Sequence, residues 1–290
     1  MSGSLTINKG AKHWWLSPDI WVQPSTELSP KPPGVGHPVA GETYNVWVRL
    51  HDYDSDKVEA FTWDMFVCWI VPTAGPAPFP SSAQQLYTGP IRSTVPAGGT
   101  GLPVGGAMGV MPITWTPVRK SHGHECLIAA AWTPLGGYPA KTLDGNSPTT
   151  VDFTIAQKNL GVLKGARHKR RFQYAFQACN GADEMRQFVI TAQQGPLSDI
   201  EAFLPGMPGG QSILQKPGQV EGLGIIESAQ PDPAQLDAAT DVLSSVTIGP
   251  RSCQPFTLVG SLHEGNALIH VTESLGEEVV GGLSVLVLAE

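Results

Sequence analysis

The acidic run Asp52-Tyr53-Asp54-Ser55-Asp56, with Glu59 three residues on, is the sharpest chemical pattern in the chain. Three carboxylates at alternate positions can converge on one hard cation, as the first, third and fifth positions of a calcium loop do. An EF-hand is excluded, because Lys57 stands where the sharp turn demands glycine and Trp63 where a bidentate acid is needed. Asp52, Asp54 and Asp56 are therefore expected to form either a turn-borne calcium site between two strands or an acidic hairpin whose side chains cap backbone amides. No cofactor other than this calcium ion is expected.

A second pattern, His122-Gly123-His124-Glu125-Cys126, puts three metal-capable side chains on one face at period two. It would need a further ligand, for which His51 is the candidate. The same spacing also arises when Cys126 sits in a core and the histidines at a strand mouth. The four cysteines, Cys68, Cys126, Cys179 and Cys253, contain no CxxC pair, which disfavours a structural zinc framework. Their placement would allow one inter-sheet disulfide in each half of the chain, although thiols of a cytosolic protein stay reduced. Ser121, His124 and the aspartates supply the residue types of a hydrolase, but no GxSxG elbow or other positional motif assembles them. No catalytic residue is assigned, and the expectation is a protein that is not an enzyme.

Aromatic residues raise a different question. All eight tryptophans, at positions 14, 15, 21, 47, 63, 69, 115 and 132, fall in the first part of the chain. Trp14 and Trp15 are adjacent, and Trp47 points away from Val46 and Val48, so one sandwich core cannot hold them all. Trp14, Trp15 and Trp47 are thus the candidate binding residues. Their partner is a neighbouring domain, another subunit, or a ligand such as a sugar ring, for which a flat aromatic face is a suitable platform.

The elements that carry these residues read as strands. Tyr44, Val46, Val48 and Leu50 alternate with Asn45, Trp47 and Arg49, the period of a strand with one buried face. Residues 58–71 form a long central strand, and residues 19–23, 111–115, 124–132 and 151–157 supply others. A Pro- and Gly-rich crossing over 72–109 is expected to be functional or to pack along a sheet edge. Beyond it, residues 172–177 and 188–192 alternate again, and 256–262, 267–272 and 279–288 follow in quick succession. Only 196–204 and 233–243 read as helices, both short and inside connections. The expected fold is all-β: two antiparallel β-sandwich domains, 1–160 and 161–290, with short helices only in loops.

Composition sets the outer bounds. Among 290 residues there are 33 Gly and 26 Pro, charged residues are 15%, and the net charge is −7. This excludes a coiled coil, a helical bundle and a basic nucleic-acid binder. The single basic cluster, Lys164, Arg167, His168, Lys169, Arg170 and Arg171, reads as an exposed link beside a strand. Residues 1–10 hold no apolar run of signal-peptide length, and no run in the chain is long enough to span a bilayer, so synthesis in the cytoplasm is expected, with the final location open.

The phrases WWLSPDIWV, YNVWVRLHD, WTP and GHECLIAAAW resemble the immunoglobulin-like domains of the CARDB kind found in bacterial surface and peptidase-associated proteins. VTIGPRSCQPFTLVG, ALIHVTES and VVGGLSVLVL likewise resemble the last strands of a bacterial immunoglobulin-like module. The resemblance spans nearly the whole chain and implies seven-stranded domains that bind or space rather than catalyse. It transfers no site residue. The expected function is accordingly structural or adaptor-like, by protein association or self-association within a larger assembly. The competing class is a carbohydrate-binding or surface-adhesion module, stabilised by calcium, with glycan as its ligand.

Overall fold

A computed structural model describes residues 5–7, 13–32, 34, 38, 41–52, 59–70, 74, 83–95, 102–106, 111–117, 126–132, 155–164, 171–207, 209–236 and 238–289. Its strands in the first half are β1 (Leu5–Thr6), β2 (Ile20–Pro24), β3 (Tyr44–Asp52), β4 (Glu59–Ile70), β5 (Ala83–Val95), β6 (Leu102–Val104), β7 (Ile113–Trp115), β8 (Cys126–Trp132) and β9 (Ile155–Lys158). There follow β10 (Leu160–Lys164), β11 (Arg171–Asn180), β12 (Arg186–Gly195), β13 (Val220–Ile226), β14 (Val242–Ile248), β15 (Ser252–Leu262), β16 (Asn266–Leu275) and β17 (Glu278–Leu288). Among the described residues helix is confined to connections: a 3-10 helix at Leu197–Gly206 and short α-helices at Gly210–Leu214 and Pro233–Leu236. The expected all-β, antiparallel fold class is what the structure shows.

Sheets pack in pairs, because a sheet with one apolar face must bury it against another layer. In the first pair, β3 carries β1, β2, β6 and β7 on its edges and faces the sheet ordered β5-β4-β8-β9. Val46, Val48 and Leu50 from β3 meet Met65 and Val67 from β4 and Leu127 and Ala129 from β8. The period-two pattern of β3 thus points where its alternation demands. In the second pair the sheet β10-β17-β16-β12-β14 faces β11-β15-β13, and Phe172, Tyr174 and Phe176 interleave with Phe256, Leu258, Ile269 and Val285. The β10–β17 pairing is parallel, whereas the other strand ladders among the described residues are antiparallel.

The five-stranded sheet of the second pair is covered on both faces. Along β16, Ala267, Ile269 and Val271 enter the sandwich core, and Leu268 points to the opposite face. There Leu268 and Leu286 pack with Ile200, Phe203 and Leu204 of the 3-10 helix and with Trp15 and Leu16 from near the N-terminus. Double coverage explains why β17 reads LSVLVL, a run without polar alternation.

At Asn159 the chain passes directly from a strand of one sheet pair to a strand of the other. β9 pairs with β8, Asn159 follows, and β10 pairs with β17. Asn159 donates its side-chain amide to Gly282 O at 2.7 Å, and its own carbonyl accepts the Ser284 N–H at 3.0 Å. Within the Pro- and Gly-rich crossing the structure places β5 and β6, which the composition of that stretch obscures. The expected helix at 233–243 is confined to Pro233–Leu236, and from Val242 the chain is strand β14.

Cysteine pairing differs from expectation in its geometry. Cys179 and Cys253 are joined, yet they are register partners on β11 and β15 of one sheet, so the bridge is within a sheet and not between sheets. Cys68 and Cys126 are free and buried. They sit on adjacent strands but opposite Ile128 and Ile70 rather than each other.

Candidate functional site

His270 lies on β16, on the outer face capped by the 3-10 helix, directly across from Ser284 on β17. Asp199 comes from that helix, and His13 from the segment that brings Trp15 onto the sheet. Their ligand-capable atoms converge within 4.8 Å of one another. Asp199 Oδ2 is 3.0 Å from His13 Nε2 and 3.2 Å from His270 Nε2. The two imidazoles stack with centroids 3.8 Å apart. On the far side of His270, Nδ1 is 2.8 Å from Ser284 Oγ, which also accepts the Trp15 indole N–H at 2.9 Å.

Small residues make this convergence fit. A Cβ on Gly195 would stand 2.3 Å from His270 Nε2, and one on Gly282 would stand 2.4 Å from the Trp15 ring. Partial burial gives the cluster its leverage: the side chains of His13, Asp199 and His270 are 14%, 12% and 7% exposed, so their interactions escape most solvent screening while the rim stays accessible. Three heteroatoms of this type, two imidazole nitrogens and a carboxylate oxygen, are a donor set for a borderline divalent cation.

Beside the cluster, Lys158 bridges to Leu16 through the backbone and holds its ammonium 5.2 Å over the Phe203 ring. Burial lowers its pKa to about 8. A second polar knot lies in the first sheet pair, where buried Asp19 takes His51 Nε2 at 2.6 Å and Arg49 at 3.4 Å. The SPD of WWLSPDIWV therefore ties the entry to β2 onto β3.

The residues singled out from sequence are placed as follows. Trp15 is 3% exposed and packs against the outer face of the second sheet pair. Trp14 packs edge-on against it at 5.7 Å, and its indole N–H finds no acceptor among the described residues. Trp47, 2% exposed, lies across from Trp21 and is closed over by the chain itself at Gly105. Neither Trp15 nor Trp47 presents an open ring face. Asp52 is the last residue of β3. Asp54 and Asp56 lie outside the described residues, as do Ser121, His122 and His124. His51, the proposed extra ligand for that histidine pair, is engaged by Asp19, and Cys126 accepts a hydrogen bond from Gln157 at 2.8 Å.

The cluster His13–Asp199–His270 escaped sequence reasoning. Its members are separated by 186 and 71 positions, so no local spacing exists to detect. The available signal was indirect: a histidine in ALIHVTES at a position whose neighbours are apolar on both faces.

No protein-family model matches the chain, and no curated protein matches it in sequence. Among solved structures it is similar to a transglutaminase of red sea bream, 12% identical over 91% of this chain and 31% of that one, with a TM-score of 0.22. Escherichia coli alpha-2-macroglobulin activated by porcine elastase is 9% identical over 93% of this chain and 22% of its own, with a TM-score of 0.23. The CupB6 tip adhesin of Pseudomonas aeruginosa is 9% identical over 100% of this chain and 97% of its own, with a TM-score of 0.19. The chain spans less than a third of the first two. Scores this low align no site, and none is transferred.

Proposed function

We propose that the chain is a non-enzymatic pair of immunoglobulin-like modules, of the CARDB kind that its WWLSPDIWV and YNVWVRLHD phrases resemble, acting by association as an adaptor or structural subunit. The observation that supports this is the β14 edge of the five-stranded sheet, which pairs with no further strand among the described residues. β14, VLSSVTI, ends that sheet, hydrogen-bonded to β12 on one side. It contains no charge and no proline, two of the devices that blunt an edge, although a bulge interrupts its pairing with β12 between Leu243 and Val246, and Val242 on it is 41% exposed. Such an edge is a template for pairing with a strand from a second copy or a partner.

The test is light scattering coupled to size-exclusion chromatography over a concentration series, on the full chain and on the double variant Ser244→Lys, Thr247→Lys. Self-association that the variant loses, with an unfolding free energy unchanged within the ~0.5 kcal/mol typical of surface changes, supports the reading. A monomer at every concentration counts against self-assembly. Glycan-array binding that survives in the variant would hand the function to the carbohydrate-binding alternative.

A further inference from the structure

We propose that His13, Asp199 and His270 form a three-ligand zinc site that fastens the N-terminal segment to the second sheet pair. Two imidazole Nε2 atoms and one carboxylate oxygen match the ligands zinc accepts, and the Asp199–histidine separations of 3.0 and 3.2 Å are close to an edge of its coordination tetrahedron. That edge is about 3.3 Å for bonds of ~2.0 Å. The three ligands come from separate parts of the chain: the stretch before Trp15, the 3-10 helix and β16. An ion there would cross-link all three.

The outer partner of His270 suits a metal ligand. For Nε2 to offer its lone pair, Nδ1 must carry the proton and find an acceptor, and Ser284 Oγ lies 2.8 Å away. A serine oxygen can accept twice, from this N–H and from the Trp15 indole N–H. Such an orienting contact is what metal-bound histidines generally have. When both Nε2 atoms are instead protonated, each donates to the same Asp199 oxygen, and the Ser284 hydroxyl rotates to donate to a His270 Nδ1 that then accepts. One scaffold therefore serves a hydrogen-bonded state and a metal-bound state. Loading must also splay the rings. Two imidazoles radiating from one tetrahedral ion have centroids about 5 Å apart, against the stacked 3.8 Å here. His13 supplies that movement, being the more exposed histidine and carried on a segment outside the sheet.

The experiment uses the untagged full chain stripped with a chelator, titrated with zinc chloride in competition with a chromogenic chelator, and in parallel with cobalt chloride. The expected result is one zinc per chain, a melting temperature that climbs with free zinc by mass action, and visible cobalt bands of low-symmetry coordination. His13→Gln and Asp199→Asn should each weaken zinc binding on the order of tenfold or more and erase the cobalt bands, while leaving the far-ultraviolet circular dichroism unchanged. His263→Gln is the control, since His263 and Glu221 form an exposed pair 3.1 Å apart elsewhere on the second half. A folded wild-type chain that takes up no zinc at micromolar concentration overturns the proposal. So does uptake that persists in both His13→Gln and Asp199→Asn, or that disappears in His263→Gln.

Discussion

Glu273 shows how a single residue writes itself into the pH dependence of the molecule. It is fully buried in the second sheet pair; one carboxyl oxygen accepts the Cys179 N–H at 3.3 Å and the other finds no partner among the described residues. Burial raises its pKa from 4.5 to about 8, against the opposing pull of that hydrogen bond. The folded chain therefore keeps a proton that the unfolded chain releases. Its contribution to stability is full below pH 4.5, declines as pH rises, and is lost above about 8. Glu273→Gln removes this slope, so the variant should gain on wild type by on the order of 1 kcal/mol per pH unit across that window, read as the difference between two melting curves at each pH. Gly282 is a second residue of this kind. A methyl group there meets the Trp15 ring at 2.4 Å, and Gly282→Ala is expected to cost ~1–3 kcal/mol by overpacking. Equal melting temperatures for Gly282→Ala and wild type would show that the N-terminal segment does not seat on β17 as described.

At the scale of elements, the cysteines separate two kinds of strand contact. Cys179–Cys253 joins β11 to β15 inside one sheet and closes a loop across 74 positions. Reducing it should lower stability by ~2–4 kcal/mol. Cys68 and Cys126 sit within the first sheet pair, where burial drives both thiols away from the reactive thiolate, Cys126 to about 12. A thiol reagent at neutral pH should accordingly find no group in the folded chain, two in denaturant, and four after reduction. The strands that bear these residues were legible to the extent that each has one wet face or a flanking turn: β3 in the alternation of Tyr44 to Leu50, β11 in Phe172, Tyr174 and Phe176, and β15 to β17 between their turns. β5 was not legible, because Gly89 and Pro90 interrupt its middle and the surrounding Pro and Gly swamp its pattern. β10 was hidden for a different reason. Leu160 and Val162 are buried against Trp15 and the 3-10 helix, contacts made by distant segments that local periodicity cannot register. The same distance hid the site, since His13, Asp199 and His270 come together only after the outer face of β16 has been covered.

That outer face decides how the whole molecule behaves. Two domains joined by a passive link would unfold in two independent steps, each governed by its own core. Here the boundary is a chain of contacts. β9 and β10 are separated only by Asn159, whose side chain and carbonyl both bond to β17, and Trp15 and Leu16 complete an apolar cluster whose other members are the 3-10 helix, β10, β16 and β17. Opening the first sheet pair would pull Trp15 off Leu268 and Leu286, a loss that outweighs the return of the Lys158 ammonium, its pKa lowered to about 8 by burial, to water. The two sheet pairs should therefore unfold together. In a calorimetric scan of the full chain we expect one transition whose calorimetric and van't Hoff enthalpies agree. Trp15→Ala removes the centre of the contact and, at ~3–5 kcal/mol for a buried aromatic, should split that transition into two, the first sheet pair and the second melting apart. A fragment of residues 160–290 made alone should keep the Cys179–Cys253 core but bind a hydrophobic dye on the uncovered face of β16 and β17. Two resolved transitions in the wild-type scan, unchanged by Trp15→Ala, would mean that the sandwiches are independent and that the N-terminal segment is an accessory to the second rather than its coupling to the first.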